Sequence, residues 1–154
     1  MNGSVHETMS GYIVSTDKSK LNIDVIHSFL TTSYWAKGIP FTIVEQCIEN
    51  SLCFGAYHNE DQIGFARIVS DFSTFAYLAD VFVLEDYRGK GVGKLIMNEI
   101  MAHPQLQGLR RFMLATRDAH GLYEKYGFVV TKNPERIMEI VNADLYMKSN
   151  SERK

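Results

Sequence analysis

Cysteine is scarce in this sequence: only Cys47 and Cys53 occur, six positions apart, which is neither the paired spacing of a zinc site nor a secreted disulfide framework. They read as inert, partly buried thiols. Long apolar runs are missing as well. Nothing approaches the roughly 20 residues needed to cross a bilayer, and the opening MNGSVHETMSG has neither the basic start nor the apolar centre of a secretory leader. A cytoplasmic protein without a membrane partner is therefore expected. Excess charge of one sign is absent too: the formal net charge is -2 and the basic residues form no long run, so attraction to nucleic acid or to an anionic membrane is not indicated. Any anion must be held locally. With three prolines and no linker, repeat or low-complexity stretch, the 154 residues read as a single domain over 1–148 and a frayed tail over 149–154.

What is present is a globular composition, 45% hydrophobic and 22% charged, with apolar residues spread along the chain. GYIVS at 11–15 reads as a strand. From Asp24 the spacing of Val25, Ile26, Phe29 and Leu30 predicts a helix that Gly38 and Pro40 interrupt, and Ile43, Val44, Cys47 and Ile48 trace a second one. Strands are expected at 53–58, 62–70 and 75–84, then a helix from Val92 that His103 and Pro104 stop, and a buried strand at 111–115. Asp118 is the expected N-cap of a short helix through Tyr126, with Gly127 at its end. FVVTKNPERIMEIV suggests one or two closing strands, which also offer a surface for a homodimer. The fold class is α/β: a single mixed, mostly antiparallel sheet flanked by helices.

The stretch VLEDYRGKGVGKLI, residues 83–96, sets three glycines and three cations between a strand and a helix. It is no Walker loop, because Arg88 and Leu95 stand where Gly and Ser or Thr belong. Nor is it a dinucleotide fingerprint, because Lys94 stands where the third Gly belongs. The physics of both motifs still holds: first-turn N–H groups and the helix dipole favour an anion, and glycine backbone can approach it closely. Arg88, Lys90 and Lys94 add charge. A pyrophosphate-sized anion fits, with no metal demanded.

YRGKGVG resembles the Gln/Arg-x-x-Gly-x-Gly/Ala loop of the GNAT family of N-acetyltransferases, read here as Arg88, Gly91 and Gly93. AHGLYEKYGF at 119–128 resembles that family's A-x-x-L-Y-x-K-x-G-F segment. The resemblance implies an acetyl-CoA-dependent enzyme whose central strand splays from its neighbour to admit the pantetheine arm. It implies cofactor contacts from the backbone of Val81, Phe82 and Val83, from the loop residues Arg88, Gly89, Lys90, Gly91, Val92, Gly93 and Lys94, and from Thr116, which stands where the family often has Asn. Tyr123 matches the tyrosine that donates to the departing sulfur.

An amine acceptor must lose a proton before it attacks, and the glutamate that relatives use falls here at Ala79. Asp80 is adjacent, but strand alternation sends it to the opposite face unless a bulge intervenes. His120 shares the face of Tyr123 and is a weaker candidate. The acceptor side is expected from the aromatic segment TTSYWAKGIPF, with Tyr34 and Trp35 as walls and Tyr77 nearby; Arg67, Asp71 and Arg117 read as ordinary surface ion pairs. The expected function is acetyl transfer to a small-molecule amine. The alternatives are a protein lysine or N-terminal acetyltransferase and a non-catalytic acyl-CoA-binding module.

Overall fold

The computed structural model describes residues 5–7 and 11–147. Six strands form one sheet in sequence order: β1 (Val5–Glu7), β2 (Tyr12–Ser15), β3 (Leu52–His58), β4 (Asp61–Ser70), β5 (Phe75–Val83) and β6 (Arg111–Leu114). Neighbours run antiparallel except β5 and β6, which are parallel. Four α-helices accompany them: α1 (Ile23–Leu30), α2 (Phe41–Glu49), α3 (Val92–Ala102) and α4 (His120–Glu124). The mixed, mostly antiparallel sheet with flanking helices is the architecture expected from the sequence.

Each boundary has a local cause. Asn22 accepts from the Val25 N–H at 3.2 Å to cap α1, and the buried Gln62 side chain accepts from the Asn22 N–H at 2.7 Å, pinning that cap to β4. Pro40 supplies the extended residue before α2. His103, extended before Pro104, ends α3. Asn59 takes a left-handed φ of 57° in the turn joining β3 and β4, a conformation asparagine tolerates well.

The sheet separates two apolar layers. On one face α3 packs Val92, Leu95, Ile96 and Ile100 against Phe54, Ala56, Ala66, Ile68 and Leu78. On the other, Ile26, Leu30, Val44 and Ile48 from α1 and α2 cover Cys53, Phe65 and Phe82. Ile63 and Phe65 have the same parity yet enter opposite layers, because the β3–β4 register slips after Ala56 and leaves Ile63 as an extra residue. Fully burying each large aliphatic group contributes about 1.5–3 kcal/mol, so the fold rests on these two layers rather than on surface ion pairs.

Three expectations need correction. A strand at 5–7 extends the sheet beyond β2 where none was expected. Asp118 does not cap α4: the cap position is Ala119, whose N–H donates to the Thr116 hydroxyl at 3.0 Å, and the helix ends at Glu124. Residues 128–141 are extended apart from one turn at Pro134–Arg136, but they pair with no strand among the described residues. A strand is completed by its partner's hydrogen bonds, and this stretch has β-forming residues without one. The tail expected at 149–154 lies outside the described residues.

Candidate active site

Pairing between β5 and β6 stops at Leu78 and Leu114, and beyond that point the strands diverge around a cavity of about 600 Å³. Tyr34, Trp35, Tyr77, Asp80, Thr116 and Tyr123 all line it. The Leu84 N–H donates to the Ile63 carbonyl at 2.8 Å; by alternation the backbone groups of Val81 and Val83 therefore face the other edge, where β6 has moved away. Phe82, expected among the cofactor contacts, points elsewhere. Its ring stacks on Phe29 at 4.1 Å inside the α1–α2 layer, and its backbone faces β4.

The condition for bringing Asp80 into the site is met. The β4–β5 register runs from Phe65 opposite Phe82 to Arg67 opposite Ala79, so two residues of β5 face one of β4, and Asp80 takes a left-handed φ of 56°. This bulge turns the carboxylate to the same side as Ala79. There Asp80 Oδ1 accepts from Trp35 Nε1 at 2.8 Å and Oδ2 accepts from Arg67 Nε at 2.8 Å. Arg67 also donates to the Ser51 hydroxyl at 3.2 Å. The pair is largely enclosed, with side chains 17% and 9% exposed for Arg67 and Asp80. Burial pulls the Arg67 pKa down, but the Asp80 carboxylate outweighs it and raises the net value, so the guanidinium stays charged.

Arg67 was read as a surface ion-pair residue, and that reading fails on its burial. Its signal was local: it lies between the buried Ala66 and Ile68 and directly opposite Cys53. Asp71 instead orders its own turn, accepting from Thr74 Oγ1 at 2.6 Å and from the backbone N–H groups of Ser73, Thr74 and Phe75. Arg117 lies 3.9 Å from the centre of the Tyr34 ring, at the rim of the cleft. Tyr146 also lines the cavity and was not foreseen. Its backbone carbonyl crosses so close to Gly38 that a Cβ there would approach within 2.5 Å, a contact between residues too distant for any local pattern to show.

Tyr123 sits on α4, at the side of the cleft where β6 ends. Burial first, and then the neighbouring Tyr34, raises its pKa above the ordinary 10.0, which keeps the phenol a proton donor. His120 is exposed and borders a second groove, not this cavity. The glycine loop closes the other end of β5. Gly89 and Gly91 have left-handed φ of 76° and 84°, with nothing within 4 Å of where a Cβ would stand, and Gly91 is the cap residue of α3. The N–H groups of Val92, Gly93 and Lys94 in the first turn have no partner within the helix. Arg88 donates Nε to the Val83 carbonyl at 3.0 Å, tying the loop to the strand, and Lys90 lies 5.6 Å from the centre of the Tyr87 ring. An open cradle of amides at a helix N-terminus beside a splayed strand fits an extended ligand with a diphosphate.

The model of the acetyltransferase (GNAT) domain matches residues 49–130, which include β3 to β6, the glycine loop and α4. The chain belongs to the GNAT acetyltransferase family. A Gibberella zeae protein named as an acetyltransferase is 31% identical to this GNAT chain over 141 aligned positions, covering 77% of this chain and 78% of that one. A crystal structure of a GNAT-family protein from Xanthomonas campestris pv. campestris is 51% identical, with a TM-score of 0.88 over 89% of this chain and 97% of that one. The fold is also shared with a Clostridium acetobutylicum acetyltransferase crystallised with acetyl-CoA, at 18% identity and a TM-score of 0.62 over 84% of this GNAT chain and 94% of that one. Among the described residues no helix is long and apolar enough to cross a membrane, and no group of three or more His, Cys, Asp or Glu side chains is placed to hold a metal.

Proposed function

We propose that this GNAT protein transfers an acetyl group from acetyl-CoA to the amine of a small molecule, in a ternary complex in the cytosol. The observation that carries the reading is one cavity lined at once by Tyr123, by the bulged Asp80 and by the exposed edge of β5. Acetyl-CoA supplies the acetyl group as a thioester and leaves as a thiol. Residues 89–94 hold its diphosphate through backbone N–H groups, assisted by Lys90 and Lys94. The free backbone groups of Val81 and Val83 orient the pantetheine arm, with Thr116 on the opposite wall. A backbone N–H at this edge also meets the charge that develops on the thioester oxygen. Tyr123 donates its phenolic proton as a hydrogen bond to the sulfur.

A lysine-like amine is protonated at neutral pH, with a reference pKa of about 10.4. Asp80 accepts that proton. Each of its oxygens has one donor, Trp35 or Arg67, and retains a lone pair for the acceptor. A small acceptor is favoured over a protein side chain because Tyr34 and Trp35 stand edge to face at 5.1 Å along the cavity, and Tyr146 borders it as well.

Calorimetric titration with acetyl-CoA, followed by thiol release against a panel of amines, tests the reading. Saturable binding and turnover of at least one amine are expected; binding without turnover on a broad panel would make the protein an acyl-CoA-binding module. With a working acceptor, Asp80→Asn should lower kcat/KM about 100-fold at pH 7. The deficit should shrink as pH rises and the amine loses its proton unaided. Full activity of Asp80→Asn would remove Asp80 as the base.

A further inference from the structure

Beyond Phe128 the chain does something that the catalytic cleft does not explain. Val129, Val130, Met138, Ile140 and Val141 are 76%, 72%, 92%, 103% and 62% exposed, in a chain whose other large apolar side chains mostly pack into the two layers. The arm is fixed at both ends. Phe128 meets Phe112 of β6 at 5.2 Å and Tyr123 at 6.2 Å, and Tyr146 packs on the α1–α2 layer. Between these anchors the arm stands off from the sheet, and a groove of about 540 Å³ separates it from β6.

The outer edge of β6 is itself unpaired among the described residues, so its backbone N–H and C=O groups on that side await a partner. One chain thus presents an open strand edge and, separately, an unpaired apolar segment of β-forming residues. The groove between them is bordered by Arg111 on the edge and Glu139 on the arm, charges of opposite sign and complementary between copies.

We infer that the arm and the β6 edge form an interface between two copies of this chain, the 137–141 stretch of each copy adding a strand to the other's β6. The contact is reciprocal: each copy gives an arm and receives one, which closes a two-fold pair with no edge left over. Stable pairs need about 800 Å² from each partner, and in a reciprocal exchange every copy buries both its arm and its edge. The groove shares Tyr77, Leu114, Thr116 and Tyr123 with the central cavity, so the incoming strand also walls the cleft. The pairing itself rests on the arm and the edge and not on acetyl transfer.

Light scattering coupled to size-exclusion chromatography tests it on the full chain. The expected mass is twice the 17.5 kDa of one chain. Ile140→Lys, at a side chain with no burial to lose, should give a monomer with unchanged circular dichroism, while Val69→Lys, at another exposed position, should leave the pair intact. Arg111→Glu and Glu139→Arg should each weaken pairing at least tenfold, and the double variant should restore it. A monomeric wild type at 100 micromolar, about the upper range of such an experiment, would overturn the inference. So would a dimer indifferent to Ile140→Lys, or an assembly larger than two.

Discussion

The glycine loop and the acceptor pocket occupy opposite sides of the same strand, and they are made of different material. The loop is backbone: Gly89 and Gly91 in left-handed conformations, with the bare amides of the α3 first turn. The pocket is side chain: Trp35 and Arg67 converging on Asp80, with Tyr34 stacked under Arg117 at the rim. A backbone site recognises a group common to every reaction of its class, because any peptide unit can donate. A site of converging side chains recognises one shape and charge. The bulge at Asp80 joins the two, since the residue that leaves the strand's alternation is also the one the pocket is built around.

That contrast can be broken experimentally. The largest effect is expected at the junction: Tyr123→Phe should lower kcat about 100-fold and leave both the acetyl-CoA Kd and the acceptor KM within a factor of two or so of wild type. The pH profile adds a sign. Burial and then Tyr34 hold the Tyr123 pKa above 10.0, so the donor is present below that pH and is lost only as pH rises through its folded value. Wild-type kcat should therefore show no decline from this group below pH 10.0, and any decline above it should be absent from the residual rate of Tyr123→Phe.

Next comes the loop. Gly91→Val places a branched side chain at a φ of 84°, which costs about 1–2 kcal/mol. As the loop relaxes, the acetyl-CoA Kd should rise about tenfold, with the acceptor KM unmoved in calorimetry and steady-state kinetics. Trp35→Phe should do the reverse on a smaller scale. It removes one hydrogen bond to Asp80, about 1 kcal/mol, so the acceptor KM should rise about fivefold while acetyl-CoA binding stays as it was. If both variants shifted the same constant, the division between a backbone site and a side-chain site would be wrong.

The same division explains what was legible in the sequence. A backbone site is written in one short stretch, and YRGKGVG carries its glycines, its cations and its place between strand and helix without reference to the rest of the chain. The Tyr123 segment is equally local. The pocket is assembled from positions 35, 67, 80, 117 and 146, and no spacing rule connects them. Arg67 read as a surface charge because the burial of β4 on both faces is a property of the finished sheet. Asp80 was ambiguous because one inserted residue reverses alternation, and a bulge leaves no compositional mark here. The apolar run from Phe128 to Val141 carried the right propensity, but a strand's existence depends on a neighbour that its own sequence does not contain.

The crossing of the Tyr146 carbonyl over Gly38 joins residues separated by 108 positions, 146 less 38. Contacts of such long range form late, because the loop they close must first be ordered by nearer pairings. The cleft between β5 and β6 depends on much shorter separations. A refolding chain should therefore gain its anion-holding end before its acceptor pocket acquires its last wall, and the two halves of one active site should have different birthdays in a time-resolved experiment.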